Sequence, residues 1–252
     1  MTSLNINAVR RQLRGRRIEF FETITSTMHE ATALAAAGCP SGTTVVAEEQ
    51  TAGMGRAGHS WHSEPGAGLY LSVVLRLSLS ADSLPIVTLA IGLAAAEAIA
   101  RATDLAPDIR WPNDIMLGGQ KTAGILVQLV DSTVIAGVGI NVNHPAFPPE
   151  IADLATSLRL ASGRAQSRED LLIDLLPAID SFCRMLVEGG RQTILDQFTR
   201  RSSYAQGKRV HVDQPDGVLT GITAGLDPAG FLKLRADDGT ESLIIAGGVR
   251  PA

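Results

Sequence analysis

Apolar and polar residues recur along this chain with two different periods, and the alternation between them lays out the elements. Leu69, Leu71, Val73, Leu75 and Leu77 alternate with Tyr70, Ser72, Val74 and Arg76, the period of a strand with one apolar face. Ile6, Val9, Arg10 and Leu13 fall at helical spacing, which predicts a short amphipathic helix over Asn5 to Arg14, ended by Gly15. Pro85 to Ala102 is alanine-rich and apolar on most faces, with Asp82 or Ser83 as cap, and predicts a buried helix packed on the main sheet. Leu171, Leu172, Leu175, Leu176, Ile179, Phe182 and Leu186 line one side of a helix from Arg168 to Val187, kinked at Pro177. Gly189 and Gly190 stop it, a shorter helix runs to about Thr199, and Arg200 to Gly207 reads as an interdomain linker.

Between these lie strands. Ile18 to Glu22 and the β-branched Thr43 to Ala47 flank a helix from Met28 to Ala37, for which Thr25-Ser26-Thr27 and Glu30 set up a capping box. Ile109–Trp111, Ile115–Leu117, Lys121–Val130 and Thr133–Val142 form a meander with tight turns at Gly118-Gly119 and Asp131-Ser132; a proline-rich loop, Pro145 to Glu150, comes next. After the linker, short strands at Lys208–Val212, Val218–Thr223, Phe231–Leu234 and Leu243–Ile245 are separated by turns at Gln214–Gly217, Asp227–Gly230 and Asp237–Gly239, the spacing of a small barrel. Such a barrel is too small to be stable alone and should dock on the larger part. The expected division is 1–203 and 204–252.

Composition narrows the classes. At 252 residues and 45% apolar, the chain suits one large domain with a small appendix. Its net charge of −4 argues against a general nucleic-acid binder, and the arginines between Arg10 and Arg17 read as a solvated basic face. No apolar run of membrane-span length and no signal peptide are read from it, so the expected location is the cytoplasm, with no membrane partner. Cys39 and Cys183 lack the spacing of a disulfide or zinc site.

The candidate chemistry begins at Gln50 to Trp61. Gly53, Gly55 and Gly58 free the backbone for close approach to an anion, and Arg56 offers a planar cationic fork for phosphate or carboxylate. The spelling G-x-G-x-x-G suggests a dinucleotide fingerprint, but Pro65, Gly66 and Gly68 forbid the helix that fingerprint must open. Gly119 to Thr122 similarly fails as a P-loop, because Gln120 stands where glycine is required. A further polar set lies at Arg110-Trp111-Pro112-Asn113-Asp114, Lys121 to Val127 and Val138 to Val142.

In order, S-T, G-x-G-R-x-G-x-x-W, W-P-N-D, K-x-A-G-I-L and G-x-G-I-N resemble the motifs of biotin–protein ligases, the biotin–[acetyl-CoA-carboxylase] ligases, from about Ser26 to the C-terminus. The resemblance implies an α+β fold: a class II synthetase-like catalytic domain with a central mixed sheet flanked by helices, plus an SH3-like C-terminal barrel. It implies ATP and biotin as substrates with Mg²⁺, and a biotin carboxyl carrier protein as acceptor; a homodimer is compatible with it. Ligases that double as repressors carry an N-terminal DNA-binding domain, for which too few residues precede Ser26, so no DNA partner is expected.

Carried over residue by residue, Ser26, Thr27 and Gln50 would hold the ureido ring of biotin, with Gly53, Lys121, Gly124, Gly137 and Gly139 along its tail. Gly53, Met54, Gly55 and Arg56 would cover the adenylate. Trp61, Asn113 and Asn141 would face the nucleotide. Arg56, Lys121 and Asp114 would be catalytic, Asp114 as base, orienting group or Mg²⁺ ligand. Met54 and His59 stand where the family pattern usually has arginine. The nearest alternative, a lipoate–protein ligase, shares the fold, but Gln50 with Ser26 and Thr27 favours a polar ureido ring. An octanoyltransferase would need a cysteine near the glycine loop, and a non-enzymatic nucleic-acid-binding regulator would rest on the Arg10–Arg17 cluster alone.

Overall fold

Two sheets carry the chain in the computed structural model, which describes residues 3–214 and 217–252. The larger has seven strands: β1 (Ile18–Ile24), β2 (Thr44–Gln50), β3 (Gly68–Leu75), β4 (Asp108–Arg110), β5 (Asp114–Leu117), β6 (Gln120–Val130) and β7 (Thr133–Asn141). Their order in space is β1-β2-β3-β7-β6-β5-β4, with β1 and β2 parallel and the remaining pairs antiparallel. The sheet is therefore mixed, as expected.

Helices α1 (Ile6–Gln12), α2 (Thr27–Ala36), α3 (Leu84–Thr103), α4 (Leu158–Ser162) and α5 (Arg168–Arg201) flank it. One face of the sheet, with Leu69, Leu71, Val73, Ala136, Val138 and Ile140, shares a core with α3 and α5. On the other face, Met28, Ala31 and Ala35 of α2 pack with Val45, Val74 and Ile135. Alternation along β3 and β7 separates the two cores, because successive side chains point to opposite faces.

The sequence predicts no run of membrane-span length, yet the helical stretch Ala81–Thr103 is long and apolar enough to cross a membrane by length and composition. The correction lies in the count rather than the role. Ile86, Leu89, Ile91, Leu93 and Ile99 are fully buried between the sheet and α5, so this is the core helix that the apolar pattern predicts. Ser83 precedes α3 without a side-chain cap bond. The α2 cap also shifts by one residue: Ser26 is the N-cap, its Oγ accepting from Met28 N at 3.3 Å, so Glu30 lies past the capping-box position.

Within α5, Gly190 adopts φ 78° and ψ 172°, breaking the helix where the glycine pair predicts a stop; Pro177 sits inside the first segment. The residues between α5 and the second sheet are packed, where a loose linker is expected. Ser202 is buried and donates to the Ile109 carbonyl at 2.6 Å, Ser203 N donates to Asp108, and Tyr204 and Ala205 are buried. The arginines near the N-terminus are also engaged: Arg16 pairs with Asp180, and Arg17 with Glu19.

The second sheet is antiparallel, ordered β11-β10-β9-β8-β12, from β8 (Gln206–Gln214), β9 (Gly217–Leu226), β10 (Leu232–Arg235), β11 (Glu241–Ile244) and β12 (Val249–Pro251). It is the SH3-like C-terminal unit; β12 is a strand the turn spacing does not signal. The expected turn at Gln214–Gly217 falls partly on residues 215–216, outside the described residues. This unit docks on the larger one: the indole Nε1 of Trp111 donates to the Gly230 carbonyl at 2.9 Å, and Gly230 lies against Ile86 and Leu89 of α3.

A buried ion pair ties α5 to the sheet. Arg168, the first residue of α5, donates to Glu48 at 2.7 and 3.1 Å and to the Gly68 carbonyl at 3.1 Å; both charged side chains are buried. Removing one partner of such a pair strands a charge without water, at about 3–5 kcal/mol. Arg168→Met should lower unfolding stability by that amount in a urea titration, and Glu48→Leu added to it should recover a large part.

Candidate active site

The site is built on the α2 face of the large sheet, where glycines replace side chains. In the β6–β7 register Gly124 opposes Gly139 and Leu126 opposes Gly137, so all three glycines share one face. The row continues across the sheet to Asp114, which opposes Gly124, and to Tyr70 and Ser72, which oppose Gly139 and Gly137. A Cβ at Gly124 would stand 2.8 Å from the Trp61 ring, one at Gly139 2.4 Å from it, and one at Gly137 2.7 Å from Met28 Sδ. Backbone at these positions is thus a requirement of packing.

Lys121 reaches this floor through an irregularity. Three residues before Gly124, it would point to the opposite face of a regular strand. The β5–β6 register shifts between Ile115 and Met116, however, so Ile115 opposes Ala123 while Met116 opposes Lys121. Thr122 is the extra residue, and this bulge returns Lys121 to the face of Asp114 and Gly124. Its Nζ lies 2.6 Å from Asp114 Oδ1 and 5.3 Å from the Trp61 ring centroid.

Asp114 is shared by two cations. Arg110, its cross-strand partner, donates to Oδ2 at 2.7 Å, while Oδ1 has the Lys121 ion pair but no directed hydrogen bond. Arg56 donates to Asn113 Oδ1 at 3.1 Å, and Asn113 Nδ2 donates to the Ile125 carbonyl at 2.9 Å. Burial holds the Arg56 guanidinium below its ordinary value, opposed by the nearby Asp114 charge. With Arg56 and Lys121 both beside it, the floor is an anion-attracting surface in a partly desolvated cleft.

The α2 end of the cleft is polar and internally hydrogen-bonded. Gln50 Oε1 accepts from Thr27 N at 2.9 Å and Thr27 Oγ1 at 3.0 Å, and Gln50 Nε2 donates to Ser63 Oγ at 3.1 Å. Ser72 Oγ donates to Thr27 Oγ1 at 2.8 Å. The glycine loop folds over the floor through Gly55 N to the His59 carbonyl at 2.7 Å and Trp61 N to the Gly53 carbonyl at 2.8 Å. It then enters β3 rather than a helix, as Pro65, Gly66 and Gly68 after it dictate. The cleft so enclosed is narrow, about 40 Å³, because the Trp61 ring lies on its glycine floor.

Thr27, Gln50, Met54, Gly55, Arg56, Trp61, Asn113, Lys121, Gly124, Gly137 and Gly139 are brought together as its lining. Gly53 lies just behind, where a Cβ would meet the Trp61 carbonyl at 2.6 Å, and Asp114 sits beside Lys121. Ser26 is fully buried as the α2 cap. Asn141 is not brought in: it is buried, outside the lining, and its amide donates to the Thr156 carbonyl at 3.1 Å. Trp61 rests on Gly124 and Gly139, the positions expected along the biotin tail, rather than only at the nucleotide end. His59 is exposed.

Met28, Ser63 and Ser72 also belong to the site or its support and lie outside the motifs, while Leu126, which ends K-x-A-G-I-L, and Arg110, which precedes W-P-N-D, carry no role in the resemblance. The polar phase of the β3 alternation holds Ser72 and could have identified it; nothing in sequence pairs Met28 with Gly137. Cys39 and Cys183 are both buried outside the cleft, and burial, helped by Asp180, pushes the Cys183 thiol up to about 12. Neither serves as a nucleophile here.

Comparison with known proteins places this geometry. Residues 20–144 match the model of the biotin/lipoate A/B protein ligase family, and residues 206–249 that of the biotin protein ligase C-terminal domain. The chain is 34% identical over 244 residues to the bifunctional ligase/repressor BirA of Bacillus spizizenii, covering 93% of this chain and 74% of that protein. It is 32% identical to the biotin–[acetyl-CoA-carboxylase] ligase of Mycobacterium tuberculosis, covering 88% of this chain and 84% of that one. The structure of the Aquifex aeolicus biotin protein ligase in complex with biotin and ATP superposes with a TM-score of 0.84 at 28% identity, covering 94% of this chain and 99% of that one. The chain therefore belongs to the biotin/lipoate A/B protein ligase family, as one of its biotin protein ligases with the C-terminal domain those enzymes carry.

Proposed function

We propose that the enzyme activates biotin with ATP and transfers it to a lysine of a biotin carboxyl carrier protein, acting in the cytoplasm. The observation that carries this reading is the placing of Lys121 and Arg56 beside a side-chain-free floor that ends at the polar Thr27–Gln50 group. A homodimer remains compatible with it.

A carboxylate is a poor acyl donor. In the first step a biotin carboxylate oxygen attacks the α-phosphorus of ATP and pyrophosphate leaves, giving a mixed anhydride. Thr27 and Gln50 would exchange their mutual hydrogen bonds for bonds to the ureido ring, with Ser26 holding the helix end in place. Gly53, Gly124, Gly137 and Gly139 would give the tail a backbone surface once the Trp61 ring swings off it toward the nucleotide. Lys121 and Arg56 would neutralise the α-phosphate and carboxylate, and Asn113 would meet the adenine. Asn141, already bonded to the Thr156 carbonyl, would act only through that loop.

In the second step the neutral amine of the acceptor lysine attacks the acyl carbon and AMP leaves. Asp114 Oδ1, released as Lys121 moves onto the phosphate, would accept the amine's hydrogen bond and then its proton. Asp114 keeps its Arg110 pair even then, and among the described residues the cleft lining offers no second carboxylate. These residues do not fit a protein-held Mg²⁺, a hard ion that wants several oxygen ligands; the ion would travel with the ATP phosphates.

The test is carboxylate-dependent ATP–pyrophosphate exchange with biotin, lipoate, octanoate and no acid. Exchange with biotin alone is expected, and exchange with lipoate instead would replace the substrate while keeping the mechanism. Lys121→Ala should lower biotin-dependent exchange by about 100- to 1,000-fold or more, the effect of removing one group aimed at developing charge. Met54 lines the cleft where the family pattern usually has arginine. Met54→Arg should therefore slow release of the adenylate in a rapid-filtration assay, and an unchanged rate would exclude a charge deficit at this position.

A further inference from the structure

A second polar cluster lies outside the cleft lining. His62 and Glu64, just beyond Trp61, and His144, just beyond β7, each bring a ligand atom to within 4.8 Å of the other two. The pairing of Gly68 with Asn141 and the bond from Asn143 N to the Ala67 carbonyl at 2.6 Å carry these distant segments together. His144 is fully buried and stacks on Phe147 with ring centroids 5.1 Å apart.

The hydrogen bonds around it leave one nitrogen unused. Tyr70 Oη donates its single proton to the Glu64 carbonyl at 3.0 Å and lies 3.3 Å from His144 Nε2, so toward His144 it can only accept. Nε2 then carries the hydrogen, and Nδ1 keeps a bare lone pair. That Nδ1 is buried and has no hydrogen-bond partner, an arrangement a fold normally avoids.

We propose that His62, Glu64 and His144 form a binding site for a divalent transition-metal cation of the zinc class. Two imidazoles and one carboxylate suit such an ion and leave a fourth position for water, whereas Mg²⁺ prefers oxygen alone. The Nε2–H to Tyr70 Oη bond is the outer contact that metal-bound histidines generally make. Tetrahedral zinc with bonds of about 2.0–2.1 Å holds its ligands about 3.4 Å apart. The exposed His62 and half-buried Glu64 side chains would rotate toward the fixed His144 to supply the closure needed. A bound ion would clamp the segment carrying Trp61 and Ser63 against the end of β7, and so buttress the Ser63–Gln50 bond beside the cleft.

The experiment is a titration of tag-free, chelator-stripped, full-length protein with Zn²⁺ by calorimetry, and with Co²⁺ by visible absorption. One zinc per chain is expected, with cobalt d–d bands. His62→Ala and Glu64→Gln should each lower zinc affinity at least about tenfold while leaving the thermal midpoint in EDTA unchanged, since neither side chain is buried. Absence of binding, or a variant that binds zinc as tightly as the parent, overturns the proposal.

Discussion

Everything in the cleft depends on one steric constraint: the centre of the sheet must present backbone, not side chains, on its α2 face. Gly124 and Gly139 oppose one another, and Gly137 lies in the same phase. A Cβ at any of them would stand within 2.8 Å of Trp61 or Met28. Glycine in a strand interior gives up side-chain packing and conformational entropy. The opposite phase of β7, Ala136, Val138 and Ile140, offsets that loss by burial in the core shared with α3 and α5. One strand thus anchors the protein with one face and leaves a floor for chemistry on the other.

Charge is arranged around that floor with similar economy. Asp114 holds Lys121 and Arg110, and Arg56 is fixed through Asn113. Lys121 is held by its ion pair with Asp114 at 2.6 Å. The Asn113 amide is anchored to the Ile125 carbonyl, which makes it a fixed reference point beside that pair. Trp111, one residue before Pro112 in the same motif, points away from this cluster and bonds the C-terminal sheet through Gly230. The motif therefore serves the cleft with its last two residues and the joint between the two sheets with its first.

The register of β3 with β7 also joins two polar groups that the chain holds apart. Gly68 meets Asn141, so the end of the glycine loop and the exit of β7 run side by side. The Gln50–Ser63 bond and the His62–Glu64–His144 cluster lie along this seam. Whatever stiffens the seam acts on the segment that carries Trp61 over the floor.

Periodicity by itself determined most of the architecture, because burial on one face imposes a repeat that sequence must obey: the strand from Leu69, the apolar helix over Pro85 to Ala102 and the α5 stripe arise from it, and the glycine pair marks the break at Gly190. Motif order likewise identified the glycines and most of the polar groups that line the cleft, since glycine and charged groups at fixed spacing have few structural uses. Tertiary structure alone decided the rest. Periodicity puts Lys121 on the wrong face, and only the bulge at Thr122 corrects it. Asn141 carries a motif amide that a neighbouring loop carbonyl claims, and Ser202 to Ala205, polar enough to read as a linker, are held by the edge of the sheet. Trp61 covers glycines more than sixty positions away, and His62 meets His144, through strand pairing. Such contacts are long-range consequences of register, and no local pattern encodes them.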